Sequence, residues 1–192
     1  MTDLNAPIPQ TQRWLSTVVI GLNFCPFAKR EFDSGRIHYA VIETQDTKAQ
    51  LHAIIQHCAA LDDDAERETS LLIFPAGLED FEDYLDLLDM ANALLIEQGY
   101  EGIYQLASFH PDYCFAGVSA DDPSHYTNRS PYPIIHILRE ASVEAALAKH
   151  PNPDIIPARN IRVAQKLGLK AMQDRLAACS SPSPAPTPPR PL

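Results

Sequence analysis

Apolar and polar positions change period several times along this chain, and each change predicts an element. Trp14, Leu15, Val18, Val19 and Leu22 recur at helical spacing in TQRWLSTVVIGL. The β-branched run TVVI also permits a strand, but helix is favoured. Residues 36–43 (RIHYAVIE) and 69–75 (TSLLIFP) are short apolar runs rich in branched residues, the pattern of strands buried on both faces. Between them Leu51, Ile54, Ile55 and Cys58 form the i, i+3, i+4, i+7 stripe of a helix covering a sheet. Cys58 is therefore expected in the core, with His52 and His57 off the stripe.

EDFEDYLDLLDMANALLIEQGY predicts a second amphipathic helix, with acids in its first turns, where the helix end is positive, and Gly99 placed to end it. Its carboxylates read as a solvated face. IYQLASFH is expected to be a third strand with His110 at its C-terminal end. A loop of about twenty residues follows, PDYCFAGVSADDPSHYTNRSP. Ordered loops of that length inside compact domains are usually functional. YPIIHILRE alternates well enough for a fourth strand antiparallel to the third, with a helix starting near HILREAS as the alternative. A helix is expected over 142–148 and another across PARNIRVAQKLGLKAMQDRLAA.

This order predicts an α/β fold: one layered domain over residues 1–178, about four strands in a mixed sheet covered by helices, with the long loop between the third and fourth strands. The proline- and serine-rich tail, 179–192, is expected to be disordered. Ligands in such sheets gather beyond the carboxyl ends of the strands, where His110 and the long loop fall.

Charge narrows the function. Lys and Arg number 15 against 25 acids, a net charge of -10, which disfavours nucleic acid as a partner. No apolar run approaches the ~20 residues of a membrane span, and the N-terminus has no signal-peptide pattern. A soluble cytoplasmic protein is expected, with no membrane partner. Cys25, Cys58, Cys114 and Cys179 lack CxxC spacing, which argues for reduced thiols rather than a disulfide framework or zinc ribbon.

Three stretches carry candidate chemistry. In NFCPFAKR, Cys25 precedes Pro26 as an N-cap precedes a helix, with Lys29 and Arg30 one turn on, an arrangement that would lower a thiol pKa; the bland reading packs Cys25 between Phe24 and Phe27. In FHPDYCFAG, His110, Asp112 and Cys114 stand at every second position. They suit a transition metal if His136 joins them, or simply a turn that Asp112 caps while His110 bonds the loop backbone. YTNRSPYPIIHILRE gathers Asn128, Arg129, Ser130, His136, Arg139 and Glu140 around Pro131 and Pro133. With Arg159 in IPARNIR, its guanidinium forks suit carboxylate or phosphate groups, or else pair with acids at the surface.

The Cys25 octapeptide is similar, over about six residues, to the CPF stretch of glutaredoxins and cysteine-type glutathione transferases, but Ala28 stands where a second cysteine would. Four longer stretches, LNFCPFAKR, SFHPDYCFAG, YTNRSPYPIIHILREAS and IPARNI, together resemble the bacterial family catalogued as domain of unknown function 1415. The likeness runs from about Thr11 to Gly168. It implies kinship and carries over no activity. Cys114 stands where the resemblance implies glutamine, in that family's HPDYQFAG, which reduces the triplet of His110, Asp112 and Cys114 to its first two members.

The leading expectation is an enzyme acting on a small anionic metabolite, carboxylate or phosphate. Cys25 would be the nucleophile, His110 or His136 the base, and Asp112 the residue orienting it. Asn128, Arg129, Ser130, Arg139 and Arg159 would bind the substrate. The alternatives are a metal-dependent site of His110, Asp112 and His136, with Glu140 as a further ligand, and a non-catalytic module that binds an anion. No cofactor follows from the sequence.

Overall fold

The structure is a computed structural model describing residues 6–180. Four strands form one mixed sheet: β1 (Ile37–Val41), β2 (Thr69–Ile73), β3 (Tyr104–Phe109) and β4 (Ile134–Arg139). Their order is β1-β2-β4-β3, with β1 and β2 parallel and β4 antiparallel to both of its neighbours. The α/β fold read from the periodicity is the one that forms. β1, β2 and β3 run the same way, and β4 returns between β2 and β3 after the long loop.

Helices α3 (Thr47–Asp63) and α4 (Phe81–Glu97) cross over on one face of the sheet. Each is started by an aspartate whose carboxylate accepts first-turn amides: Asp46 from Ala49, and Asp80 from Glu82 and Asp83. Ile54 and Cys58, on the anticipated stripe, are fully buried against Leu72, Ile135 and Ile137. Gly99, at φ +79°, ends α4, as the sequence suggested.

The other face is covered from both chain ends. α1 (Pro7–Trp14) continues directly into a π-helical turn, Leu15–Ile20, so TVVI is helical. The Ser16 and Thr17 hydroxyls both donate to the Arg13 carbonyl at the point where the helix widens. Trp14, Leu15, Val18 and Val19 pack on this face with Leu71, Ile73 and Ile134. α2 (Ala28–Asp33) follows the Cys25 turn, and α5 (Glu140–Lys149) follows β4 directly.

The helix expected across 157–178 is two, α6 (Ile156–Leu167) and α7 (Leu169–Ser180), broken at Gly168 with φ +84°. α7 includes Cys179, which is buried, so the helix extends past the expected tail boundary; the rest of the tail, 181–192, lies outside the described residues. Among the described residues no helix is long and apolar enough to cross a membrane.

Candidate functional site

The polar residues that cluster in sequence do not converge on one site. His110 is fully buried at the end of β3, against Phe81 and Tyr84. Its Nε2–H donates to the Leu78 carbonyl (2.9 Å) and its Nδ1 accepts the Asp112 amide (3.0 Å). Both ring nitrogens are committed to backbone, and burial pushes the pKa down. Asp112 meets the ring through its amide, while its carboxylate lies in an exposed residue. His125, which the sequence did not single out, works the same way: it donates to Ser119 O and accepts the Phe115 amide, with the Cys114 thiol 3.7 Å away.

Asn128, Arg129 and Ser130 hold the long loop down. Asn128 donates to Ser108 O (3.1 Å), and Ser130, fully buried, donates to Tyr132 O (2.5 Å). Arg129 donates to Tyr113 O and the Tyr126 hydroxyl and lies over the Tyr126 ring, while Trp14 Nε1–H donates to the Arg129 carbonyl. Arg139 donates to the carbonyls of Leu61, Asp64 and Arg67, which cap the end of α3. Arg159 donates to Asn23 and Leu22 carbonyls at a turn where Asn23 takes φ +55°. Donors expected to clamp an anion are thus engaged by main-chain oxygens.

Cys25 and His136 do share a site. Both line a cavity of about 700 Å³ on the face under α1. The strand register explains its floor. Ile37, Thr69, Leu138 and Gln105 form one row across the sheet, Leu138 pairing with Gln105 and following the Ser70–Ile137 pair. The next row on this face is Tyr39, Leu71, His136 and Ala107; the third is Val41, Ile73, Ile134 and Phe109. Trp14 covers the third row edge-on at Phe109 (5.1 Å), whereas the first row and Leu71, His136 and Ala107 of the second floor the cavity. The site therefore lies at the amino end of the parallel strands, opposite the edge that the sequence favoured. The small side chain of Ala107 beside His136 leaves the space.

The floor fixes the state of His136. Thr69 Oγ1–H donates to the Ile137 carbonyl (2.5 Å), so the hydroxyl oxygen accepts from His136 Nε2–H (2.6 Å). Nδ1 is then the unprotonated nitrogen, and it makes no hydrogen bond among the described residues. Burial pushes the imidazole pKa down to about 4, so the ring is neutral near pH 7.

Cys25 departs from its expected role as a helix cap. α2 starts at Ala28, two residues past Pro26, and has six residues. The thiol does meet the Phe27 and Ala28 amides, but burial outweighs them and raises its pKa. It is held as a thiol, not a thiolate. At the cavity rim Arg36 pairs with Glu31 (3.2 Å) and Glu68 (3.0 Å). Arg30 and Lys149 also border the cavity. Among the described residues no group of three or more His, Cys, Asp or Glu is arranged to hold a metal ion. His110 and His136 belong to opposite faces of the sheet.

Fold and cavity together define an α/β protein with a small-molecule-sized hollow on one face of its sheet. The chain belongs to the family described as Protein of unknown function (DUF1415), whose model matches residues 6–174. No curated protein and no solved structure matches it.

Proposed function

We propose that the protein is an enzyme acting on a small anionic metabolite bound in the cavity over the sheet. The reaction is proton transfer, with His136 as general base and the Cys25 thiol as general acid. The observation that carries this reading is that Cys25 and His136 line one cavity, each held in its neutral form. A neutral imidazole has a lone pair to take a proton, and a neutral thiol has a proton to give. His136 removes a proton from the substrate at one position, Cys25 Sγ–H returns one at another, and the imidazolium and thiolate then re-equilibrate through solvent.

Magnitudes favour this over a resting nucleophilic thiolate. The thiol lies above its ordinary 9.0 and the imidazole near 4. Burial raises the thiol and lowers the imidazole, so transferring the proton from Cys25 to His136 is unfavourable at rest and the neutral pair is the resting state. Four cations, Arg30, Arg36, Arg139 and Lys149, against two acids, Glu31 and Glu68, line the cavity of an otherwise acidic chain, which supports an anionic substrate.

The test has two parts. In a Cys114→Ser background, alkylation of Cys25 is expected to rise only above pH 9; a midpoint below pH 7 overturns the acid role. Small carboxylates and phosphates are incubated with the protein in deuterated water and followed by NMR. A substrate is expected to exchange carbon-bound hydrogen for deuterium, and His136→Gln and Cys25→Ala are each expected to stop it. Exchange that survives both substitutions refutes the assignment.

A further inference from the structure

The cavity is graded along the strands. Three of its charged residues, Arg36, Glu68 and Arg139, flank the first row at the amino end of the parallel strands. That row supplies Thr69 and Gln105, the second His136 amid Leu71 and Ala107, and beyond them stand Trp14 and Phe109. Polarity falls from that end inwards. A second observation comes from α5. Val143, Ala145 and Ala146 line the cavity, yet no residue of this helix is buried. An apolar helix side thus stands over the hollow with little to pack against. At its last turn Lys149, exposed and without a hydrogen-bond or ion-pair partner among the described residues, stands at the rim with Arg30, whose side chain is 80% exposed.

From this gradient we infer that the ligand is an amphipathic anion, an apolar tail lying toward Trp14 and Phe109 under α5, with a carboxylate or phosphate head at Lys149 and Arg30. Arg36 and Arg139 are satisfied within the protein and Arg30 makes one 3.6 Å contact with Glu31 from a largely exposed side chain, so Lys149 is the cation left to meet a head group, with Arg30 beside it. The volume of about 700 Å³ is that of a site for a molecule of metabolite size. Val143 and Ala146 become covered when the tail enters. The inference rests on the cavity being the ligand site, and it names the class of molecule bound there.

Calorimetric titration of the full chain with butyrate, hexanoate, octanoate and decanoate tests it, with 1-octanol, octyl phosphate and succinate as comparisons. Binding is expected to tighten about fourfold per added methylene, the equivalent of ~0.8 kcal/mol per buried CH₂, and to level off once the cavity is full. Octanoate and octyl phosphate are expected to bind at least about tenfold tighter than 1-octanol, the order of a single charge contact. Lys149→Met should remove that preference and leave the chain-length slope. Ala146→Trp, on a half-exposed helix face, should end the slope at a shorter chain, as should Ala107→Phe on the floor. Succinate binding as tightly as decanoate, and lost in Ala107→Phe, would keep the site and overturn the ligand class. Decanoate binding indifferent to all three substitutions would place it elsewhere and overturn the inference. Absence of any binding would overturn the inference and leave the proton-transfer reading to its own test.

Discussion

Replacing His136 with glutamine should flatten the acid limb of the protein's stability curve. In the folded state burial holds the imidazole pKa near 4, while in the unfolded chain it returns to its ordinary 6.5. Between those values the unfolded chain binds a proton that the folded chain refuses, so acid favours unfolding. The stability tied to neutral His136 is therefore complete above pH 6.5 and is lost as pH falls from 6.5 toward 4. With these two values the loss is about 2 kcal/mol by pH 5 and about 3 kcal/mol by pH 4. His38, His57 and His110 also have pKa values lowered by burial, and they add losses of the same sign. They titrate in wild type and variant alike, so the difference between the two curves isolates His136. The assay is urea unfolding from pH 7.5 to pH 5, read by the fluorescence of Trp14, the only tryptophan, buried on the same sheet face. The stability gap between wild type and His136→Gln should shift by about 2 kcal/mol in the variant's favour across that range. A gap constant within ~0.5 kcal/mol would refute the neutral, Thr69-held imidazole and with it the proposed base.

Arg139→Met should destabilise by about 3 kcal/mol in the same unfolding assay, because three carbonyls at the end of α3 lose a charged donor. Arg139→Lys should recover little, since one ammonium cannot reproduce the planar fork. Tyr84→Phe should cost about 1–2 kcal/mol, because its hydroxyl donates to Ile134 O (2.8 Å) and accepts the Phe109 amide (3.1 Å), tying the ends of β3 and β4 to α4. Tyr84 lies in the core on the opposite face of the sheet and does not line the cavity, so octanoate affinity should be unchanged in Tyr84→Phe.

Periodicity carried most of the fold. The two-residue alternation of IIHILR and the stripe through Ile54 and Cys58 depend only on which positions must be buried, and the four strands formed within about two residues of their expected bounds. The TVVI ambiguity was a real one: the chain stays helical there but widens into a π turn beside two hydroxyls that bond a helix carbonyl. The site was less legible. Arginines that crowd in sequence between 129 and 159 serve different main-chain carbonyls in space, because a guanidinium beside a helix end or loop satisfies oxygens that would otherwise lack a donor. Thr69, Gln105 and Lys149 went unnoticed, since which residues share the cavity depends on register between strands far apart in the chain. One signal was available. Thr69, Gln105 and His136 are polar residues within strands that are otherwise largely apolar, and such positions call for a partner or a ligand.

The two histidines show why an identical side chain carries opposite prospects at two places in one sheet. His110 has a carbonyl on one nitrogen and an amide on the other, so moving its proton would break a bond that anchors the loop. His136 has one nitrogen held by Thr69, whose own proton is committed to Ile137, and the other left without a protein partner. That nitrogen belongs to a residue lining the cavity and is the acceptor a bound molecule can meet. Ala107 beside it keeps the space open where a larger side chain would close it, and α5 leaves apolar surface over the same space. In the reading proposed above, one bound molecule lies across all three, its apolar body over Ala107 and α5 and the C–H that is to lose its proton at His136 Nδ1.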